Sequence, residues 1–328
     1  MILIDRTALV PIRLGNIFPE ATMKAIRIHT YGDANTLQLE EAPTLVIQSD
    51  QLLVRIRDAG VNPIDWKIRE GYLKSRMPAN FPLTMGQDFA GEVVEQGKDV
   101  QSFNIGDRVF GFAQGTYAEY AAAPASTVST IPSSLTFEVA AALPTAGSTA
   151  LQIIRDVVRA QSGMTILIHG AAGGVGSFAT QVARHLGARV IATATGADDI
   201  AYLTLLGVEQ VIDFKKERFE ERVHGADAVV DLVGGDTLAR SYTVVKKGGV
   251  VATTVQPIDE AAAKQAGIRA VQVLMKRNAA DLHELARLVD QRHLKPRLGG
   301  AMSLAQAKEA QELSEKGKTR GKLILKVA

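Results

Sequence analysis

Along the chain, the spacing of apolar positions changes character near residue 135. Between Met23 and about Thr130, apolar and polar residues alternate in short runs at 24–29, 52–57, 91–95, 107–111 and 117–121. Gly, Pro, Asn and Asp interrupt these runs. A period of two predicts strands with one buried face, and the helical period is weak here, so this region is expected to be an antiparallel, barrel-like β domain. From about Phe137 to Met275 the apolar runs become continuous and β-branched, at 165–169, 189–193, 209–212, 227–232, 249–253 and 268–273, with helical stretches between them. That βαβ alternation predicts a parallel sheet buried between two layers of helices. Two helices, about 278–291 and 303–315, precede a last strand at 322–327, which is expected to return to the first domain.

The first 22 residues fit neither pattern. They contain Pro11, Gly15 and Pro19, and Asp5 and Arg6 break their apolar part. No small-residue cleavage site follows cleanly, so they are expected to be an extension rather than an export signal. Met23 is a second possible start.

The sharpest local signal lies between residues 165 and 187. The apolar strand Thr165-Ile-Leu-Ile-His169 runs straight into Gly170-Ala171-Ala172-Gly173-Gly174-Val175-Gly176, and a helix opens at Ser177. A dinucleotide pyrophosphate requires such a corner. Gly173 lets backbone approach the phosphates, Gly176 lets helix and strand pack closely, and the helix N-terminus supplies free N–H groups. Ala171 stands where the usual pattern has its first glycine, and the bare alternative is a tight βα turn without a ligand. The next strand ends at Thr193-Ala194-Thr195, where NAD-specific folds place a carboxylate for the ribose 2′-hydroxyl. Its absence favours NADPH, with Thr193, Thr195 and a more distant base such as Lys318 or Arg320 available to the 2′-phosphate. Asp198 and Asp199 are expected to start the following helix.

Composition removes several classes of function. There is no cysteine, so disulfides, thiolate zinc sites and cysteine nucleophiles are excluded, and a reducing cytoplasm fits. Net charge is +2 without a basic block, which argues against nucleic acid. No apolar run approaches the length of about 18 residues that a membrane span needs. The six histidines form no H-x-x-x-H pair, His169 reads as the end of a buried strand, and no G-x-S-x-G elbow occurs.

Other motifs punctuate the whole chain: Gly60-Val-Asn-Pro-Ile-Asp65, Gly86-Gln-Asp-Phe-Ala-Gly91, Gly106-Asp-Arg-Val-Phe-Gly111, Ala141-Ala-Leu-Pro144 and Asp231-Leu-Val-Gly-Gly235. With the glycine corner, they resemble the medium-chain dehydrogenase/reductase superfamily, in its zinc-free quinone oxidoreductase branch related to zeta-crystallin. The resemblance implies an α/β architecture with a GroES-like β-barrel catalytic domain (23–145 and 279–328) and a Rossmann doubly wound parallel sheet (146–278), after the 1–22 extension. It implies an active site in the cleft between the two and a homodimer. Zinc-dependent relatives carry Cys and His where this chain has Asn62 and Gln87, and amides do not replace those ligands.

The expected activity is NADPH-dependent reduction of a quinone or a related small conjugated carbonyl. Alternatives are a 2-alkenal or enone reductase, or an NADPH-binding protein without turnover. Without zinc, the charge that grows on the acceptor oxygen needs a hydrogen-bond donor or cation. Asn62 is the first candidate, against a backbone-capping role before Pro63. Lys67 stands where zeta-crystallin-like chains often have Tyr, and is either the cation or a solvated side chain. Tyr72 is either a stacking partner or plain packing. Asp65 reads as a loop-fixing carboxylate. On the cofactor side the resemblance adds Thr149 near the nicotinamide, and strand ends at Val233, Gly234 and Thr253 whose backbone would fix its carboxamide.

Overall fold

The computed structural model describes residues 22–327; the expected extension, apart from Thr22, lies outside the described residues. The parallel sheet is present, with six strands. From one edge to the other they run Gln210–Asp213, Arg189–Ala194, Thr165–His169, Ala226–Asp231, Val245–Thr253 and Arg269–Gln272. Numbered along the chain from Thr165–His169, that order is 3-2-1-4-5-6. It is the order of a doubly wound dinucleotide-binding sheet, with a ligand crevice at the carboxyl ends of the strands where the winding reverses. The register puts His169 beside Thr193 on one side and Asp231 on the other, so these three strand ends share one rim.

The earlier part of the chain forms the antiparallel sheet. The long strand Gln51–Val61 pairs with Asp88–Gln96, which pairs in turn with Arg108–Phe112. Its other edge takes Lys322–Lys326, bonded antiparallel along Val61 to Asp58. The last strand thus does return to the first sheet, and Leu298–Ser303 lies outside it, parallel. Apolar alternation in Gln51–Val61 buries Leu52, Val54 and Ile56 in one core with Phe89, Val109 and Leu325. A second core joins the two regions: Ala141 and Leu143 pack with Ile166, Phe178 and Leu285. Helix Pro144–Leu151 runs through it between the barrel and the glycine corner.

The strand Leu298–Ser303 escaped the apolar pattern. Gly299 and Gly300 supply no side chain to alternate, and Ala301 is exposed. The helix expected from residue 303 begins instead as a single 3-10 turn, Leu304–Gln306, and becomes α-helical over Ala307–Glu315.

Candidate active site

A cleft of about 690 Å³ separates the barrel from the carboxyl ends of the parallel strands. The glycine corner forms one wall: Gly170, Ala172, Gly173, Gly174 and Val175 line it. Gly170 has φ +70°, which lets the chain turn off the strand. A side chain on Gly176 would collide with the Gly170 carbonyl and come within 2.7 Å of Ala171 Cα, so that glycine is fixed by close packing. Gly173 is different. A Cβ there would meet only the Gly170 carbonyl, at 3.3 Å, and otherwise open cleft. The space over Gly173 therefore suits a phosphate resting on backbone, with helix Gly174–His185 presenting its N-terminal N–H groups.

Thr193, Thr195 and Val233 also line this cleft. Ala171, Gly176, Thr149, Gly234 and Thr253 do not line it; they support the wall from behind. Ala171 is wholly buried. Thr149 donates its hydroxyl to the Thr145 carbonyl at 2.6 Å. Asp231 accepts the Gly234 N–H at 3.0 Å and the Thr253 hydroxyl at 3.3 Å, which holds the 231–234 loop in place, and burial raises its pKa.

His169 sits on the rim, 1% exposed. Ser241 donates to the Thr237 carbonyl, so toward His169 Nε2 (3.1 Å) it acts as acceptor, and Nδ1 then accepts from Thr193 at 3.0 Å. Burial, with Arg240 nearby, pushes this imidazole down to about 4. It stays neutral near pH 7 and locks Thr193.

The acids beyond the second strand are both occupied. Asp199 pairs with Arg297 at 2.8 Å, and that guanidinium also donates to the Ala172 carbonyl at 3.0 Å. Asp198 pairs with Arg320 at 2.6 Å. Arg320 lines the cleft whereas Lys318 does not, and its side chain is 70% exposed and free to exchange partners.

The opposite wall is a chain of buried polar groups. Asn62, 2% exposed, precedes helix Pro63–Arg69 and lines the cleft. Its amide orientation is dictated by its neighbours. Lys322 Nζ can only donate, so it bonds Asn62 Oδ1; Asp88 can only accept, so it takes Asn62 Nδ2 at 2.8 Å. Asp88 also accepts the Thr145 hydroxyl at 2.6 Å and the Thr145 N–H at 3.0 Å, at the first turn of helix Pro144–Leu151. Lys322 also donates to the Val61 carbonyl at 2.8 Å. One N–H of the Asn62 amide is left without an acceptor among the described residues. Burial pulls the Lys322 pKa down, opposed by Asp88 and Asp65. The arrangement presents a polarised N–H donor, backed by a buried ammonium group, to whatever occupies the cleft.

The structure does not bring Lys67 and Tyr72 to this cleft. On a helix at about 100° per residue, five positions carry Lys67 some 140° round from Asn62. Its ammonium lies 5.6 Å from the centre of the Trp66 ring. Tyr72 is 69% exposed and packs edge-on against the same ring. The cation that does stand beside Asn62 is Lys322, which sequence reasoning had treated only as part of a closing strand.

A second cavity, about 300 Å³, opens within the barrel. Ile68, Met77, Leu83 and Met85 give it apolar walls, and Asp65, Gln87 and Arg277 bring polar groups. Asn62 and Gln87, which stand at the metal-ligand positions of zinc-dependent relatives, line the cleft and this cavity respectively. Among the described residues no group of three or more His, Cys, Asp or Glu side chains gathers to hold a metal, and no helix is long and apolar enough to cross a membrane.

Comparison with known proteins agrees with this geometry. Residues 48–133 match the alcohol dehydrogenase GroES-like domain, and 206–325 match the zinc-binding dehydrogenase domain. The quinone oxidoreductase of Mus musculus is 31% identical over 326 residues, covering 92% of this chain and 97% of that protein. The 2-methylene-furan-3-one reductase of Solanum lycopersicum is 33% identical over 317 residues, covering 92% and 79%. Among solved structures, the quinone oxidoreductase from Coxiella burnetii superposes with a TM-score of 0.87 at 37% identity, covering 94% of this chain and all of the other. The Escherichia coli quinone oxidoreductase complexed with NADPH gives 0.85 at 27% identity, covering 93% and 100%.

Proposed function

This chain belongs to the quinone oxidoreductase family of medium-chain dehydrogenases/reductases, and on that premise we propose that it is an NADPH-dependent, zinc-independent reductase of quinones or related conjugated carbonyls. The observation that carries the reading is the hydrogen-bonded Lys322–Asn62–Asp88–Thr145 chain, its first three members buried, facing the glycine corner across one cleft.

The residues fit the cofactor. Gly170 to Gly176 would cradle the pyrophosphate. Thr195 and Arg320 would meet the 2′-phosphate, Arg320 leaving Asp198 to do so. Thr149, Val233, Gly234 and Thr253 would shape the nicotinamide end, some of them from behind. When bound, NADPH supplies the hydride. The protein's own part is to hold the acceptor carbonyl against the Asn62 N–H, so that charge arriving on that oxygen meets a donor already oriented. Lys322 and Asp88 fix that donor before the substrate arrives, so no reorganisation is needed when charge develops. The apolar barrel cavity would take the body of the acceptor.

Enone reduction is the second reading, favoured by the likeness to the tomato 2-methylene-furan-3-one reductase. A homodimer is part of the proposal. Strand Arg269–Gln272 ends the parallel sheet with one side unpaired among the described residues, an edge a second copy would cover. Steady-state assays with NADPH on naphthoquinone, phenanthrenequinone, a 2-alkenal and a simple alcohol test the function. Turnover of quinone or alkenal without added zinc is expected. Turnover confined to the alcohol with zinc would overturn it, and tight NADPH binding without any reduction would leave only a binding protein. Light scattering on an eluting peak tests the dimer.

A further inference from the structure

Asp65 is wholly buried in the first turn of helix Pro63–Arg69, and its two oxygens are treated very differently. Oδ2 accepts the Asn62 backbone N–H at 2.8 Å and the Tyr117 hydroxyl at 2.9 Å. Oδ1 has no partner. An unpartnered buried carboxyl oxygen is expensive unless it carries a proton or meets a ligand. Asp65 is also part of the wall of the barrel cavity, opposite apolar side chains and beside Gln87 and Arg277. The loop-fixing role expected for it uses only Oδ2.

We propose that Asp65 is the proton donor of the reaction, releasing a proton from Oδ1 to an acceptor held in the barrel cavity. The assignment rests on the reductase reading above. Two-electron reduction of a quinone by a reduced nicotinamide delivers one hydride and leaves a quinol monoanion. The Asp65 Oδ1–H bond then breaks, a quinol O–H bond forms, and Asp65 is left as carboxylate. It recovers a proton from solvent water, so the sum is quinone, NADPH and one proton giving quinol and NADP⁺.

The surroundings poise the group for this. Burial pushes the Asp65 carboxyl up to about 7; Asp88 adds to the rise, while the Asn62 N–H, the Tyr117 hydroxyl and Lys322 oppose it. Arg277 faces the same cavity from the segment ahead of helix Ala279–Asp290. Both donors occupy Oδ2, so the proton belongs on Oδ1. Tyr117 is itself held well above the ordinary phenol range, chiefly by burial, and remains a donor throughout.

Asp65→Asn keeps an oxygen for Asn62 and Tyr117 but has no proton to give. Two measurements test it. The first is ¹³C NMR of cofactor-free protein labelled at aspartate carboxyls. One resonance is expected to titrate near neutrality and to be missing in Asp65→Asn. The second is turnover against pH with phenanthrenequinone. Wild-type kcat should fall as pH rises through about 7. Asp65→Asn should be about 100-fold slower without that limb, the size of a general-acid effect, with NADPH affinity unchanged by fluorescence. Tyr117→Phe, which removes a donor from Oδ2, should move both midpoints to higher pH together, and it keeps the test alive if Asp65→Asn folds poorly. Wild-type turnover in Asp65→Asn, or no aspartate titrating near neutrality, overturns the assignment alone. A wild-type protein that binds NADPH and reduces nothing overturns the reductase reading along with it.

Discussion

The two walls of the cleft are made of different material. On the Rossmann side, the glycine corner offers main chain to a ligand: a φ +70° turn at Gly170, bare backbone at Gly173, and a helix N-terminus. On the barrel side it is side chain: Asn62, Thr145 and Lys322 line the cleft, Asp88 stands behind Asn62 and Thr145, and all but the half-buried Thr145 are buried. Backbone can grip any dinucleotide of the right shape, so on the proposed reading that wall would serve binding. Oriented amide, ammonium and carboxyl groups can act on charge as it appears, so on the same reading the other wall would serve chemistry. Mutations on the two sides should therefore separate affinity from turnover.

Gly173→Val is expected to have the largest effect. It places two methyl groups where the pyrophosphate would lie, and NADPH affinity should fall beyond about 1,000-fold, ~4 kcal/mol. Fluorescence quenching checks it, and unchanged affinity would refute the corner as the cradle. Lys322→Met should act on the other wall. It removes the partner of Asn62 Oδ1, leaving only Asp88 to hold the amide, and removes the charge behind it, so kcat should drop about 100-fold, as for loss of one oxyanion donor. NADPH affinity should change little, and an affinity loss as large as the kcat loss would erase the distinction between the walls. Lys67→Ala and Tyr72→Phe sharpen the comparison by contrast. Both groups lie outside the cleft, so kcat should stay within about twofold, the scale of a surface substitution. A larger fall would bring Lys67 back as the working cation.

His169→Gln is expected to be smallest and to touch stability alone. The folded imidazole titrates below its usual 6.5, at about 4. Its contribution is therefore complete above pH 6.5 and lost as pH falls toward 4. The drop in Tm between pH 7 and pH 5 should be smaller by a few degrees in the variant than in wild type. An equal drop in both proteins would mean that His169 is not buried neutral.

The same contrast explains what the sequence made legible. Glycine spacing, a strand before it and a helix after it are local, so the corner could be read within some twenty residues, and the parallel strands with it. Lys322 bonds Asn62 across 260 positions, and nothing near residue 322 announces it. In the pattern it was one polar residue opening an apolar strand. Lys67 attracted attention because it was near in sequence, whereas the helix turns it toward Trp66. Asp65 was recognised as a fixing residue, but only the fold shows that one of its oxygens is idle.

The strand Lys322–Lys326 lies between Leu298–Ser303 and Gln51–Val61, so one edge of the Asp58–Val61 end of the long barrel strand stays open until it arrives. A chain still emerging from the ribosome can complete the dinucleotide sheet by residue 272 while the ammonium for Asn62 has not yet been synthesised. Domains tend to form as soon as they are made. The half-finished protein would then capture reducing equivalents without being able to discharge them, and competence would come with the stitch that closes the barrel.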